Sequence, residues 1–495
     1  MSNKTAYDRL VDWFDVKLGF SKTPLKPIPD FTLNPIYWLG LLLAGTFALQ
    51  ALTGIFMLLY YVPTPTEAYS STTYIMNSVP LGGLTETFHL YTAYAMILLT
   101  FLHLVRNYFG SAHKGNRDLM WLAGIILGAI VVGFGVTGYL LPWTVISKSA
   151  SDVAVGFINF FPTGLANLGK FVVTGSGSDA SQLTTFLHVH TVFLPLALIA
   201  FLALKIYMYE VHGPAYVAAY GKPKTGKLYG WFPKIFLYAI ILFSAYVAIL
   251  LAASSLFPLA LPPAYSPATA GQYIVQPDWY LLFVYQVLKI QAFEGASAIY
   301  VIAGLIGFVL LLFLLPFYDR SKRKDLSQRP LYVTIGAILV FEFITLTIWG
   351  YLTPGQVIPN YQAVLVLGGV AAVTAAVLAG VYRLRRKTAL SPKPQQSLHA
   401  ASAVASAKIT TQTRELSNGF RMAFDSIFTR FTAVFAVFLA VASVSLATLV
   451  NMLPNILASA PIFVLAAVAF AASSFFMCRM LRSFVLAYER TVTTQ

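Results

Sequence analysis

Residues 86–106 read ETFHLYTAYAMILLTFLHLVR, a nearly uncharged segment with two histidines, His89 and His103. At about 100° and 1.5 Å per residue, their fourteen-residue spacing places both on nearly the same helix face, roughly 21 Å apart. A ~30 Å apolar slab would hold one histidine near each of its sides. Because ionisable side chains at membrane depth are costly and usually functional, the pair predicts two binding positions at two depths.

Glycines on the two neighbouring apolar segments repeat this spacing. Gly40 and Gly54 lie on the segment before, and Gly124 and Gly138 on the segment after, each pair fourteen residues apart. Glycine lets a flat, bulky group approach a helix backbone closely. Since neutral imidazole is a good axial ligand for haem iron, the three spacings together predict two stacked haems inside a helix bundle.

The composition identifies a membrane protein. The chain has 495 residues, of which 58% are hydrophobic and 10% charged, whereas soluble domains carry about a quarter charged residues. Its one cysteine, Cys478, excludes internal disulfides, thiolate metal sites and covalent haem attachment through a CxxCH motif. No cleavable signal peptide is expected, because the first long apolar run begins near Pro35.

The net charge of +15 could suggest nucleic-acid binding, but the distribution of basic residues along the chain is typical of an oriented membrane protein. Basic clusters lie between alternate apolar segments, at 106–117, 222–234, 320–329 and 383–387. The intervening connections 62–83 and 353–360 contain no Lys or Arg. This alternation follows the positive-inside rule, so we expect a multi-pass protein of the cell membrane with a cytoplasmic N-terminus and basic loops at anionic lipid head groups.

The apolar runs predict an all-α polytopic fold with about ten transmembrane helices. They fall near 35–61, 85–108, 119–141, 184–209, 233–256, 297–317, 331–352, 361–382, 430–450 and 456–478. Two long loops, 142–182 and 257–296, lie on the same, non-cytoplasmic side. Long loops without a domain of their own are usually functional, so we expect a site there.

Five features resemble the cytochrome b of the bc1 and b6f complexes. They are Gln50-Ala51-Leu52-Thr53-Gly54, the His89–His103 spacing, Gly135-Val136-Thr137-Gly138-Tyr139-Leu140-Leu141-Pro142-Trp143, Pro277-Asp278-Trp279-Tyr280 and the loop Asp319–Leu331. The resemblance covers roughly residues 5–385, with both halves fused on one chain as in the bc1 type. Residues 386–495 lie outside it.

The resemblance, with the apolar runs and composition of the residues that follow it, implies a division into five parts. A cytoplasmic N-terminal segment (1–33) precedes a haem-binding four-helix bundle (34–213) and a C-terminal half with the quinol-site loop (214–385). A linker (386–425) and an extra transmembrane hairpin (426–495) follow.

The fourth span supplies the partner of His89. His190-Thr191-Val192-Phe193-Leu194-Pro195 matches the b6-type pattern His-Thr-x-x-Leu-Pro, which implies that His190 and His89 hold the outer haem. His188 lies about 200° away around the helix, and it is either a propionate or quinone contact or a core-packing residue.

The fourth expected ligand, at residue 204 or 205, is not histidine, and Lys205 occupies the b6-like position. Either its neutral amine coordinates the inner haem opposite His103, or its ammonium extends along the helix to the cytoplasmic interface. Because His103 otherwise lacks a partner, Lys205 is included with Arg106 among the expected cofactor-binding residues.

Two carboxylates complete the comparison with the family. Glu86 stands where the family usually has an arginine that pairs with a haem propionate, so either the salt bridge comes from elsewhere or the haem edge is protonated. The resemblance therefore does not fix the redox potential of the outer haem. Glu342 lies in the middle of the seventh span and either takes up protons or hydrogen-bonds within the bundle.

The tetrapeptide Pro277-Asp278-Trp279-Tyr280 looks like the family's PEWY quinol-site motif. Pro277 fixes the turn, Trp279 and Tyr280 wall an apolar pocket, and the Asp278 carboxylate accepts a proton from quinol. The competing interpretation is an interfacial aromatic anchor.

The function implied by the resemblance is that of the cytochrome b subunit of a respiratory quinol-oxidising complex with two haems of b or modified type. One quinol electron passes to a Rieske iron–sulfur protein, and the other crosses through both haems to a cytoplasmic-side quinone site. Candidates for that site are Lys205, His212 and the basic loop that follows His212. Other respiratory or oxidase subunits and a second copy of the complex are further expected partners. The alternatives are a single-haem or non-catalytic scaffold of an oxidase supercomplex and a generic transporter, the latter leaving the His and Gly spacings unexplained.

Overall fold

A computed structural model describes residues 27–158, 177–215, 228–268 and 270–390, with a few isolated positions besides. The α-helices are α1 (Leu39–Leu58), α2 (Ala68–Ser78), α3 (Gly82–Phe109), α4 (Asp118–Leu140), α5 (Val145–Ile158), α6 (Asp179–His188), α7 (Leu194–His212), α8 (Phe236–Leu256), α9 (Leu282–Leu288), α10 (Ala298–Tyr318), α11 (Pro330–Leu352) and α12 (Asn360–Leu390). Two short antiparallel strands, Ile28–Pro29 and Leu228–Tyr229, pair before α1 and α8.

Eight helical segments are long and apolar enough to cross a membrane. They are Pro35–Leu58, Gly82–Phe109, Asp118–Leu140, Asp179–His212, Trp231–Leu256, Gly295–Tyr318, Pro330–Leu352 and Asn360–Arg383. The first eight predicted spans are thereby confirmed. The predicted spans near 430–450 and 456–478, and the linker beyond residue 390, lie outside the described residues, while residues 386–390 continue α12.

Local sequence explains where several helices begin and end. The Asn34 side chain accepts a hydrogen bond from the Ile36 N–H and caps the 3-10 turn Pro35–Trp38, which leads into α1. The Ser178 hydroxyl caps α6 in the same way by accepting from the Ser181 N–H. Gly213, at φ +70°, ends α7 in a conformation that side chains with a Cβ rarely adopt.

The bundle is built from two helix pairs, α1 against α3 and α4 against α7, with α8 packed on α3 and α10 on α4. One apolar cluster fills its centre. This cluster includes Met96, Val131, Leu198 and, at its edge, Phe47. Met96 lies seven residues from both His89 and His103, and the other three lie at corresponding midpoints on their helices. The four predicted ligands therefore lie in two layers with an apolar layer between them.

We call the end of the bundle that carries residues 277–280 the outer end, and the opposite end, with loops 110–117 and 319–329, the inner end. At the inner end these two loops are joined by a buried cluster of charges. Asp319 contacts Lys114 Nζ at 2.8 Å, Arg329 Nη2 at 2.5 Å and His113 Nε2 at 3.1 Å. The Asp319 and Arg329 side chains are only 1% and 2% exposed. This cluster, the inner clasp, links the helices of the N-terminal bundle to the C-terminal helices.

The protonation states in the inner clasp follow from burial and charge. Burial lowers the pKa of His113 to about 4, so the ring is neutral near pH 7. Burial by itself would raise the pKa of Asp319, but the hydrogen bond from Lys114 and the charge of Arg329 outweigh it and hold that pKa below its ordinary value. Among the described residues, Asp319 is therefore the one anion that offsets the buried cations Lys114 and Arg329.

Replacing Asp319 tests the clasp. Asp319→Ala leaves Lys114 and Arg329 buried without a counter-ion, a change that costs about 3–5 kcal/mol in soluble proteins. The thermal unfolding midpoint of the detergent-solubilised protein should fall well below that of the wild type. Asp325→Ala removes an exposed acid from the same loop and should leave the midpoint unchanged. Equal midpoints for the two variants would show that the clasp is not stabilising.

Candidate functional site

His89 on α3 and His190 at the start of the fourth span face each other. Their ring centroids are 6.5 Å apart, with 59° between the ring planes. A metal ion bonded at about 2 Å to one nitrogen of each ring would place the centroids roughly 6 Å apart. The two histidines that sequence assigned to the outer haem thus have a separation that fits axial ligands of one iron.

Threonine hydroxyls select the nitrogen that each of these histidines presents. Thr53 Oγ1 lies 2.7 Å from His89 Nδ1, and Thr137 Oγ1 lies 3.0 Å from His190 Nδ1. Each hydroxyl donates its own proton to a carbonyl one turn earlier, so it accepts from Nδ1–H. The network assigns the tautomer with a free Nε2 lone pair, which is the nitrogen that would face the iron.

A π turn, Val189–Phe193, joins α6 to α7 and contains His190. His190 and Lys205 are fifteen residues apart. In a regular α-helix this spacing corresponds to a rotation about 60° larger than four full turns, so the two side chains would point in different directions. A π turn winds through fewer degrees per residue, because its hydrogen bonds connect i to i+5, and it absorbs part of this excess. His190 and Lys205 are thereby brought to the same side of the span.

His188 points away from this side. It is exposed and lines an open apolar groove with Val189, Val192 and Phe193. The alternative that His188 packs in the core is therefore wrong.

Each of the four glycines lies against one predicted ligand. A methyl group added at Gly54 would lie 3.5 Å from His89 Cε1, and one added at Gly138 would lie 2.6 Å from His190 Cε1. The sequence suggested that these glycines make room for a flat cofactor. The structure adds that Gly138 also makes room for the His190 ring itself, whereas a methyl group at Gly54 would make only an ordinary van der Waals contact with His89.

The inner layer repeats this arrangement. A methyl group added at Gly40 would lie 3.8 Å from His103 Cε1, and one at Gly124 would lie 2.9 Å from Lys205 Nζ. Lys205 thus occupies, against its glycine, the place that a histidine occupies at each of the other three positions.

The inner layer differs from the outer layer in its hydrogen bonds. Leu39 and Ala123 precede its glycines, where Thr53 and Thr137 precede the outer pair. His103 Nδ1 is buried and has no hydrogen-bond partner among the described residues. The predicted cofactor residue Arg106 lies near this layer, with its guanidinium 4.4 Å from the centre of the Tyr37 ring and Nη1 donating to Asn107 Oδ1.

The loop that carries the predicted quinol site lies at the outer end of the bundle. Asp278 Oδ1 accepts a hydrogen bond of 3.0 Å from the Tyr94 hydroxyl of α3. Tyr280 is buried in the central apolar cluster, and a methyl group added at Gly135 would lie 3.2 Å from its hydroxyl. Trp279 stands nearly perpendicular to Tyr280, with ring centroids 5.9 Å apart. Pro277 and Asp278 are only partly buried. The loop therefore presents a carboxylate beside aromatic walls.

The environment of Asp278 suits a proton acceptor. Burial raises the pKa of its carboxyl from 3.8 to about 6, and the hydrogen bond from Tyr94 lowers it in part. A carboxylate with this pKa is ionised at neutral pH, yet it binds a proton much more readily than an exposed aspartate.

The two other carboxylates singled out from the sequence are not part of these clusters. Glu86 lies on α3 and accepts a long hydrogen bond of 3.5 Å from Thr87. Glu342, on α11, has one carboxylate oxygen that is buried without a hydrogen-bond partner among the described residues. Hydrogen bonding of that oxygen within the described bundle is thus not observed.

Two family models match the chain. The model described as "Cytochrome b/b6/petB" matches residues 26–213, and the model described as "Cytochrome b(C-terminal)/b6/petD" matches residues 267–377. Together they cover the described bundle and the helices that follow the loop containing Asp278. The chain belongs to the cytochrome b family.

Individual proteins similar to this chain support the same family assignment. The cytochrome b of Sulfolobus acidocaldarius is 31% identical over 390 residues, which cover 72% of this chain and 69% of the relative. The cytochrome b subunit of the cytochrome bc complex of Chlorobaculum thiosulfatiphilum is 30% identical over 346 residues, covering 68% and 79%. A solved structure titled "Hyperthermophilic respiratory Complex III" matches with a TM-score of 0.59 and 25% identity, covering 75% of this chain and 97% of that chain.

The protein is therefore a multi-pass membrane cytochrome b of the bc1/b6f type, from a haem-binding family that forms the core of quinol oxidoreductase complexes. The described residues fit haem on three observations. The first is the separation of the His89 and His190 rings, and the second is the set of glycines beside every predicted ligand. The third is the buried, unpartnered nitrogen of His103.

Sequence reasoning missed Thr53, Thr137 and Tyr94. A signal for the first two was present, since a Thr-Gly pair occurs at both outer glycines and at neither inner one. No local pattern marked Tyr94, because its partner Asp278 is 184 residues away in the chain.

Gly138 offers a sharp test of the cofactor layer. A Cβ there meets the His190 ring at 2.6 Å, so Gly138→Leu should abolish incorporation of the outer haem, and Gly138→Ala should reduce it. Gly128→Ala on the same helix is the control, because its Cβ would meet only Thr100 at an ordinary 3.6 Å. Haem extraction and a reduced-minus-oxidised spectrum measure the content per protein. A fully loaded Gly138→Leu protein would mean that this glycine serves helix packing alone.

Proposed function

We propose that this cytochrome b oxidises quinol at its outer end and carries electrons across the membrane by means of two haems. His89 and His190 would hold the outer haem, and His103 and Lys205 the inner one. The observation that carries the proposal is the pairing of four nitrogen-bearing side chains with four glycines in two layers, beside a loop with a partly buried carboxylate.

The chain's own residues provide the chemistry at the outer end. Oxidation of quinol to quinone releases two electrons and two protons. Asp278 would accept one proton at its carboxylate, while Trp279 and Tyr280 exclude water and orient the ring. The haems, when bound, supply one-electron transfer between the two faces.

Several further assignments belong to this proposal. A Rieske-type iron–sulfur protein is the proposed acceptor of the other quinol electron at the outer end, in keeping with the structural similarity to a respiratory Complex III. Other respiratory or oxidase subunits and a second copy of the complex are proposed partners. The proposed location is the cell membrane with the N-terminus cytoplasmic, because the basic loops lie at the inner end. The domain limits are proposed as the sequence suggested them.

Three observations support Lys205 as an iron ligand over a lysine that extends to the interface. The Lys205 side chain extends from α7 to the neighbouring helix α4, where its Nζ lies against Gly124. Gly124 itself is six residues, or about 9 Å, inside the end of α4. No hydrogen bond or ion pair joins Lys205, which is partly buried, to another described residue, and a permanently charged ammonium without a counter-ion in this apolar setting would be costly. A neutral amine has the lone pair that iron requires.

Lys205 also bears on the alternative function. The hypothesis that the protein is a scaffold with one haem lost is supported only by the absence of a histidine at the fourth ligand position. Because Lys205 takes the position of that histidine against its glycine, the geometry favours a second haem and leaves the scaffold without specific support.

Replacing Lys205 tests the ligation. In the wild type, EPR or magnetic circular dichroism should show a low-spin inner haem with histidine and amine ligands. Lys205→Ala should give a high-spin or absent inner haem, because one axial ligand is lost, and Lys205→His should restore a bis-histidine spectrum. The ligand hypothesis would end if Lys205→Ala left the spectrum unchanged.

Asp278→Asn tests the proton acceptor. Loss of a general base typically costs roughly 10²–10⁴-fold in rate, so quinol oxidation should slow strongly while the haem content stays unchanged. In the wild type the rate should rise with pH through about 6 as Asp278 ionises, and the variant should lose this dependence. Glu294→Gln, an exposed acid of the same outer loop, is the control. Near-wild-type turnover of Asp278→Asn would refute the assignment.

A further inference from the structure

Tyr94 contacts two neighbouring residues of the quinol-site loop. Its hydroxyl donates to Asp278 Oδ1 at 3.0 Å, and its ring meets Trp279 edge to face, with centroids 6.5 Å apart and an interplanar angle of 75°. Among the described residues, no second group hydrogen-bonds the carboxylate of Asp278. One carboxylate oxygen is thus fixed, while the other remains free to accept a proton.

The position of Tyr94 on α3 explains how it reaches the loop. It follows His89 by five residues, so it lies deeper in the bundle than that ligand. Side chains of a helix lean toward its N-terminus, and α3 begins at the outer end, so the tyrosine extends outward to Asp278. One rigid helix therefore carries both an outer haem ligand and the hydroxyl that holds the carboxylate.

We propose that Tyr94 is a positioning residue of the outer quinol site, whose hydroxyl fixes Asp278 Oδ1 so that the other oxygen faces the substrate as the proton acceptor. This inference rests on the proposed function of Asp278. It adds a residue outside the four-residue loop motif and gives it a defined task.

The hydrogen bond also sets the protonation of Asp278. A hydrogen bond donated to a carboxylate favours its ionised form. The other groups that face Asp278 are Tyr139 from α4 and Tyr280 from the same loop, and both are phenols that stay neutral near pH 7. Burial disfavours the ionised form of Asp278 and raises its pKa, whereas the hydrogen bond from Tyr94 favours the ionised form and lowers that pKa. Without the hydroxyl, the carboxyl would retain its proton to higher pH.

The test compares Tyr94→Phe with Tyr91→Phe in the intact, haem-loaded complex. Tyr94→Phe keeps the ring against Trp279 and removes only the hydroxyl. Tyr91 lies on the same helix, and its hydroxyl donates to the Phe257 carbonyl and not to Asp278. The rate of quinol oxidation is measured against pH. The infrared band of the Asp278 carboxyl, identified by its loss in Asp278→Asn, is titrated in parallel.

We expect Tyr94→Phe to raise the midpoint of the pH–rate profile and the midpoint of the infrared titration by about one pH unit each. A shift of this size corresponds to the free energy of a hydrogen bond to a charged group. Tyr91→Phe should move neither. If Tyr94→Phe does not assemble, Tyr94 is replaced by a ring-fluorinated tyrosine. This more acidic phenol is a stronger donor and should move the midpoints downward.

The outcomes separate the two proposals. An equal loss of rate at every pH, with unchanged midpoints, would overturn the positioning role while slow Asp278→Asn turnover still supported the proton acceptor. If Asp278→Asn oxidises quinol at the wild-type rate, the acceptor assignment and the role of Tyr94 fail together.

Discussion

The close approach of side chains to helix backbones at four glycines is the constraint on which the rest of the bundle depends. Two helix pairs, α1 with α3 and α4 with α7, must pack closely enough for an imidazole or an amine to lie against the opposite backbone. A side chain at Gly138 would already occupy the place of the His190 ring. Close packing therefore disfavours a larger residue at Gly138 and Gly124, where a methyl group would meet the ligand side chain at 2.6 and 2.9 Å, and the same packing brings the ligand nitrogens into the interior.

The apolar side chains between the two layers of predicted ligands set the distance between those layers. Met96, Val131 and Leu198 are buried at the midpoints between the ligand positions of their helices. An apolar layer of this kind offers no polar group to a cofactor and keeps the two layers apart at helical spacing. The two layers differ in hydrogen bonding. Threonines support the outer histidines, whereas His103 Nδ1 has no hydrogen-bond partner within the part of the chain that the structure describes.

Two polar contacts between the two halves of the chain differ in their chemistry. At the inner end, the clasp around Asp319 joins the α3–α4 loop to the α10–α11 loop through buried charges. At the outer end, the Tyr94 hydroxyl of the bundle reaches Asp278 of the C-terminal half. The outer contact is a single neutral donor on a half-buried carboxylate, which leaves that carboxylate able to change its protonation state. The inner contact compensates two cations and favours a permanently ionised Asp319.

The sequence by itself determined the eight described spans, the depths of His89 and His103 and the matching glycine spacings, because apolar length and helical periodicity are local properties of the chain. Only the tertiary structure decided that the rings of His89 and His190 lie 6.5 Å apart, and that a π turn brings His190 and Lys205 to the same side of their span. It also decided that Lys205 extends across to Gly124, that threonines orient the outer histidines and that Tyr94 holds Asp278. These contacts join residues on different helices, and their geometry depends on interhelical packing that no local pattern records.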